Sequence, residues 1–160
     1  MTVRRPRAFM VPPNKGQVIA GPGRLSSLIL ARAENTGGNF ALLDHTLPPR
    51  QGPPLHIHGR EDEMWFILQG ELRFKADDQI FRAPVGTFVF VPRGTPHCLQ
   101  NIGETPARYL EMFAPAGMER FFEELAQLPI GDVSPALYRS ISERASMKVV
   151  GPPLSESDPL

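Results

Sequence analysis

The sequence predicts an all-β domain, a sandwich or barrel of short strands, and three observations carry that reading. Eighteen prolines and fourteen glycines interrupt the 160 residues every few positions, leaving segments too short for most helices. Those segments are rich in Phe, Val, Ile and Leu, which suit a pleated, half-buried surface. Turn residues bound them at the short intervals of a sandwich or barrel. In chain order, strands are expected over Asn39–Leu47, Glu63–Gln69, Glu71–Lys75, Phe88–Val91 and Arg108–Phe113, with Glu34–Gly38 as a loop feeding the first.

The flanks read differently. Residues 1–26 are proline-rich and predict an irregular arm, whereas 30–115 hold the barrel core. Beyond Pro115 the apolar positions Met118, Phe121, Phe122, Leu125 and Leu128 recur at helical spacing, with Glu119, Glu123 and Glu124 on the other side. Ser134 is placed to cap a second helix, with Pro135 at its first position and an end near Arg144. A helical segment over 116–145 would cover an open edge or end of the barrel, and 146–160 is the tail, expected to be frayed from Pro152 onward. The whole, 1–160, is one domain by size. A domain this long buries roughly 70% of its unfolded surface, so its core requires neither metal nor disulfide.

Seventeen basic and seventeen acidic residues cancel, which removes the electrostatic footprint of nucleic-acid binding and points to small, neutral partners. The same neutrality leaves little charge repulsion against self-association. The apolar run Phe9-Met10-Val11 stops at Pro12-Pro13, short of a signal-peptide core, and no stretch approaches a membrane span. A cytoplasmic location is the expectation. Cys98, the one cysteine, reads as a small apolar filler pointing away from its neighbour His97.

The chemistry lies in two motifs. His56 and His58 are two apart and project from one face of a strand, and the turn from Gly59 to Asp62 brings Glu63 onto the next strand beside them. His97 follows the turn Pro92-Arg93-Gly94, which aims its side chain back toward that pair. The chain has four histidines, and three of them fall in these motifs; the fourth, His45, reads as a hydrogen-bonded core residue. Three imidazoles and a carboxylate suit one divalent transition ion, whether iron, manganese, nickel, cobalt, copper or zinc. The absence of a thiolate argues against copper(I) and iron–sulfur clusters.

The spacing of these residues resembles the cupin family. Its first motif is matched by His56, His58, Glu63 and Gly70, and its second by Gly86, Pro92, Gly94, His97 and Asn101 without a gap. One position departs: the glycine expected six residues before His56 is Arg50, with Gly52 nearby. The resemblance implies a double-stranded β-helix, or jelly-roll barrel, with its ligand in the open mouth. Over about residues 30–127 the chain looks like the small single-domain cupins grouped with quercetin 2,3-dioxygenase. In that group flavonols reach the metal through a hydroxyl oxygen and the glutamate ligand takes the substrate proton, a role that would fall here to Glu63.

Four protein ligands on a six-coordinate ion leave positions open for substrate and for dioxygen or water. Phe40, Trp65, Phe74, Phe88, Phe90, Leu99 and Met112 are the candidate walls, and an apolar mouth favours an uncharged, aromatic substrate. Arg73 and Lys75, which a phosphosugar would want, read as surface residues. A metal-dependent dioxygenase is the leading expectation; a non-catalytic binding or sensing protein, or a non-redox enzyme such as an isomerase, hydrolase or decarboxylase, are the alternatives. The segment Met64–Leu68 is apolar on both faces, with Trp65 and Ile67 sharing the parity of Glu63. The outward set, Met64, Phe66 and Leu68, needs cover from the arm, the helices or a second copy, and a homodimer is expected.

Overall fold

The computed structural model describes residues 5–20, 25–128 and 133–160. Residues 1–4 and 21–24 of the expected arm and 129–132 of the expected helical segment lie outside the described residues. Strands β1 (Gln17–Ala20), β2 (Ser26–Ala31), β3 (Ala41–Leu47), β4 (Pro54–His58), β5 (Asp62–Gln69) and β6 (Glu71–Ala76) are followed by β7 (Gln79–Pro84), β8 (Phe88–Val91), β9 (His97–Asn101), β10 (Ala107–Ala114) and β11 (Met147–Pro153). They form two antiparallel sheets, ordered β1-β2-β3-β10-β5-β8 and β11-β4-β9-β6-β7. The short helices are α1 (Ala33–Thr36), α2 (Glu119–Leu125), α3 (Pro135–Arg144) and α4 (Leu154–Ser157). This is the expected all-β jelly roll with short helices after the barrel.

Strand alternation sets what faces inward. In β5, Glu63, Trp65 and Ile67 are buried between the sheets while Phe66 stands exposed on the outer face. Ile67, Leu72, Phe74, Val89 and Leu99 build one half of the core. The other half joins Leu43 and Phe113 to Met118, Phe121 and Leu125 around α2 and Ile141 from α3. The helical segment thus closes the end of the barrel where Phe113 lies. Helix α3 starts as its sequence requires, with Ser134 Oγ accepting from Leu137 N at 3.2 Å and Pro135 at the first position.

Two positions explain the backbone around the site. A Cβ on Gly52 would lie 1.9 Å from the Leu99 carbonyl oxygen, so only glycine lets this segment cross β9 so closely. Arg50, standing where the motif has glycine, takes a left-handed φ of 62°. The motif's preference is therefore steric, and arginine meets it at a cost of about 1 kcal/mol.

Several expectations are corrected. The arm is not irregular throughout: Gln17–Ala20 pairs with β2 in antiparallel register, and Ile19 is buried in the core. Glu34 belongs to the short helix α1 rather than a plain loop. The tail, where β11 pairs Met147 with His58 and Val149 with His56, is not frayed from Pro152 onward either, because Pro153 pairs with Pro54 and Leu154 is fully buried at the start of α4. That tail covers Arg73, which is buried rather than on the surface and donates to Gln100 Oε1 at 2.9 Å and to the Asp158 carbonyl at 2.5 Å. Glu119, placed on the solvent side of its helix by spacing, is also buried; it accepts from Ala33 N at 2.9 Å and Gly117 N at 2.7 Å. Among the described residues no helix is long and apolar enough to cross a membrane.

Candidate metal centre

His56 and His97 face each other across the β4–β9 pair, and His58 follows two residues along β4 on the same face. Glu63 reaches them from β5, in the opposite sheet. The four side chains are buried, and their ligand atoms all lie within 4.8 Å of one another. Glu63 Oε2 is 2.7 Å from His97 Nε2 and 3.0 Å from His58 Nε2.

The donor set suits a bound ion. His56 Nδ1 is 2.8 Å from the Pro54 carbonyl and His97 Nδ1 is 2.9 Å from the Thr95 carbonyl, so each ring donates outward and leaves its Nε2 lone pair for the centre. His58 Nδ1 has no hydrogen-bond partner; the nearest carboxylate is that of buried Glu61, whose Oε2 lies 3.9 Å away and is itself unpartnered. Glu61 thus stands behind His58 on the side away from the centre, where a carboxylate often orients a metal-binding imidazole.

Electrostatics favour the ligand forms of His56 and Glu63. Burial, reinforced by the neighbouring imidazoles His97 and His58, pushes His56 down to about 3, keeping it neutral. Burial alone would raise Glu63, but His58 and His97 outweigh it and hold the carboxyl well below its usual range. His97 shows the converse: burial lowers it, and Glu63 more than reverses that. Metal loading would therefore displace the proton this pair favours.

The cluster opens into a cavity of about 460 Å³. Trp65 and Leu99, two of the seven expected wall residues, line it; the other five do not. Phe74 is fully buried in the core, its ring 5.1 Å from that of Trp65 and 5.7 Å from that of Phe81. Phe88 and Phe90 face outward and are 61% and 53% exposed, the inward positions of β8 being Val89 and Val91. Met112 shares the outer parity of β10, and Phe40 is partly exposed just ahead of β3.

The residues that take their place are Tyr109, Glu111 and Phe113 on the inner parity of β10, Phe122 and Tyr138 from the helical segment, and Met147 from the tail. Alternation in Ala107–Ala114 is the available signal, but the strand holds a charge on each face, Arg108 on one and Glu111 on the other, and so alternation alone does not orient it. His45 is a buried, partnered core residue as expected, and burial pushes the Cys98 thiol up to about 11, which keeps it unreactive.

A jelly-roll barrel with three histidines and a glutamate converging from two sheets defines a class of protein, and similarity to known proteins agrees with it. Residues 43–113 match the family described as "Cupin domain". An uncharacterized protein of Methanocaldococcus jannaschii is 30% identical over 74 residues, covering 46% of this chain and 59% of that protein. The chain therefore spans less than two thirds of that relative's length. An RmlC-like cupin from Shewanella frigidimarina shares the fold with a TM-score of 0.62 at 16% identity, covering 73% of this chain and 99% of that one. A structure from Thermotoga maritima called a predicted oxalate decarboxylase gives a TM-score of 0.56 at 25% identity over 72% of this chain and 99% of the other. Residues 43–113 of this chain thus carry a cupin domain, within a fold shared with the RmlC-like cupins.

Proposed function

We propose that this cupin binds one divalent transition metal through His56, His58, Glu63 and His97 and acts as a dioxygenase on a small, neutral, aromatic substrate. The observation that carries the reading is the cavity itself, whose wall beside the cluster is Trp65, Phe113, Phe122 and Leu99. Among the described residues Arg50 is the one arginine or lysine on that wall, and it stands half-exposed at the rim, paired with Glu104.

When bound, the ion supplies open positions for a substrate oxygen and dioxygen and lowers the pKa of a hydroxyl that reaches it. Glu63 is held ionised and so is placed to accept that hydroxyl's proton at its carboxylate. The apolar wall orients the ring and excludes water. The test is metal analysis of the purified protein, followed by oxygen-uptake assays on flavonols and simpler phenols with each candidate metal loaded. Substrate-dependent uptake is expected with at least one metal. Uptake with none would favour a non-catalytic binding or sensing role.

The likeness to the Thermotoga maritima protein favours a non-redox alternative such as a decarboxylase. A dianionic substrate like oxalate, however, would want cationic side chains deep in the cavity, and Arg50 at the rim does not meet that need.

We assign the outer face of β5 and β8 to a homodimer contact in the same proposal. Phe66, Phe88 and Phe90 are 42%, 61% and 53% exposed, and the register sets Phe66 against Phe88 and Phe90 against Met64 in one apolar patch. Neither the described part of the arm nor the helices cover it. Light scattering at micromolar concentration is expected to give a dimer's mass, and the double variant Phe66→Asp, Phe88→Asp a monomer's. A monomeric parent protein would remove the assignment.

A further inference from the structure

A second buried polar chain runs beside the metal centre and has no part in the proposed dioxygenase chemistry. Ser27 Oγ lies 2.5 Å from His45 Nδ1, and His45 Nε2 lies 2.6 Å from Glu111 Oε2. Trp65 Nε1 donates to Glu111 Oε1 at 2.7 Å. All four residues are buried, and Glu111 and Trp65 line the cavity while Ser27 and His45 stand behind them. A carboxyl group inside an apolar barrel is costly to charge; this one accepts from the Trp65 N–H and lies against the His45 imidazole, while burial and the neighbouring Glu63 push it above its usual range. Each of its oxygens offers about two lone-pair sites, so capacity remains for a donor arriving from the cavity.

The register fixes where that donor would sit. Glu111 pairs with Trp65 and Phe113 pairs with Glu63, so Glu111 and Glu63 are diagonal neighbours on the inner face, at a Cα spacing of about 7–8 Å. From there the two side chains converge to hydrogen-bond reach of each other, so one small molecule meets both. Two carboxyl groups face the cavity, and Arg50, the one arginine or lysine among the described residues lining it, is engaged with Glu104. An anionic ligand meets repulsion there, whereas hydroxyl groups meet acceptors.

We infer that Glu111 is a second ligand anchor, and that the cavity takes an uncharged molecule with two neighbouring hydroxyl groups, one directed at the His56–His58–Glu63–His97 cluster and one donating to Glu111. His45, Trp65 and Ser27 are the positioning residues that aim the carboxylate. The inference rests on the proposed metal-dependent function and names the substrate class for it.

The test uses catechol and its mono-methyl ether guaiacol, titrated without dioxygen into the zinc-loaded protein by calorimetry. Catechol also chelates better than guaiacol, so the informative quantity is the affinity ratio of the two in parent and variant. Glu111→Gln is expected to lower that ratio severalfold, up to about tenfold, the worth of a hydrogen bond to a buried carboxyl group, and to leave guaiacol affinity nearly unchanged. Should Glu111→Gln fail to fold, Ser27→Ala keeps every cavity-lining group and is expected to lower the ratio by a smaller factor. A ratio unchanged in the folded variant overturns the inference and leaves the metal-dependent function standing. If neither phenol binds the zinc-loaded parent, both fall together.

Discussion

Replacing His58 by alanine is expected to lower metal affinity by about a thousandfold or more, beyond the roughly 10–100-fold that loss of a residue hydrogen-bonded behind a ligand costs, while the barrel stays folded. His58 is one of four converging ligands, and its loss leaves three donors spread over two sheets. Its structural share is smaller. The ring is buried against Phe113 at 5.6 Å, and its truncation should cost about 1–3 kcal/mol, against the roughly 5–15 kcal/mol that holds a domain together. The apolar halves of the core, built on Leu43, Phe113, Phe74 and Leu99, do not pass through it. Competition with a chromophoric chelator measures the first effect and a thermal melt the second. Stoichiometric metal in the variant would remove His58 from the ligand set, and unfolding of the parent on chelation would show that the ion holds the fold.

Glu63→Gln is expected to keep much of the metal and to lose about 10²–10⁴-fold in turnover. The amide oxygen still faces the ion, so coordination is weakened rather than removed, but an amide takes no proton at neutral pH. The native carboxylate is ionised before substrate arrives, since burial opposes its charge and the imidazoles of His58 and His97 at 3.0 and 2.7 Å override the burial. Metal content and oxygen uptake, measured on the same preparation, separate the two effects. Full oxygen uptake by Glu63→Gln would end the assignment of Glu63 as the base.

What the sequence made legible was local. His56 and His58 share a face because strands repeat every two residues, and Glu63 and His97 follow turns written in Gly59 and in Pro92 to Gly94. The same locality lets Ser134 and Pro135 announce α3. What escaped was non-local or two-sided. Gln17–Ala20 and Met147–Pro153 become strands only because β2 and β4 offer them edges, and nothing within either segment says so. In β8 both faces are apolar, so the aromatic pair Phe88 and Phe90 reads as inward although the smaller Val89 and Val91 fill the core. Arg73 reads as surface on its charge alone; its burial depends on a tail more than 70 residues away in sequence, as the 81- and 85-residue separations to Leu154 and Asp158 show.

The division of the ligands between the sheets has a mechanical consequence. An ion held by His56, His58 and His97 on one side and Glu63 on the other would tether two layers that otherwise meet there through side-chain packing and the contacts of Glu63 with His97 and His58. Parting of the layers at that end would then cost the binding free energy, a penalty that grows with free metal concentration as RT ln(1 + [metal]/Kd). Amide hydrogens of β4, β5 and β9 would exchange more slowly as metal is added, while those of β7, at the far edge of its sheet, would keep their rates. Ligand traffic in the loaded protein would therefore run past side chains and the helical cap, with the walls of the barrel held at fixed separation.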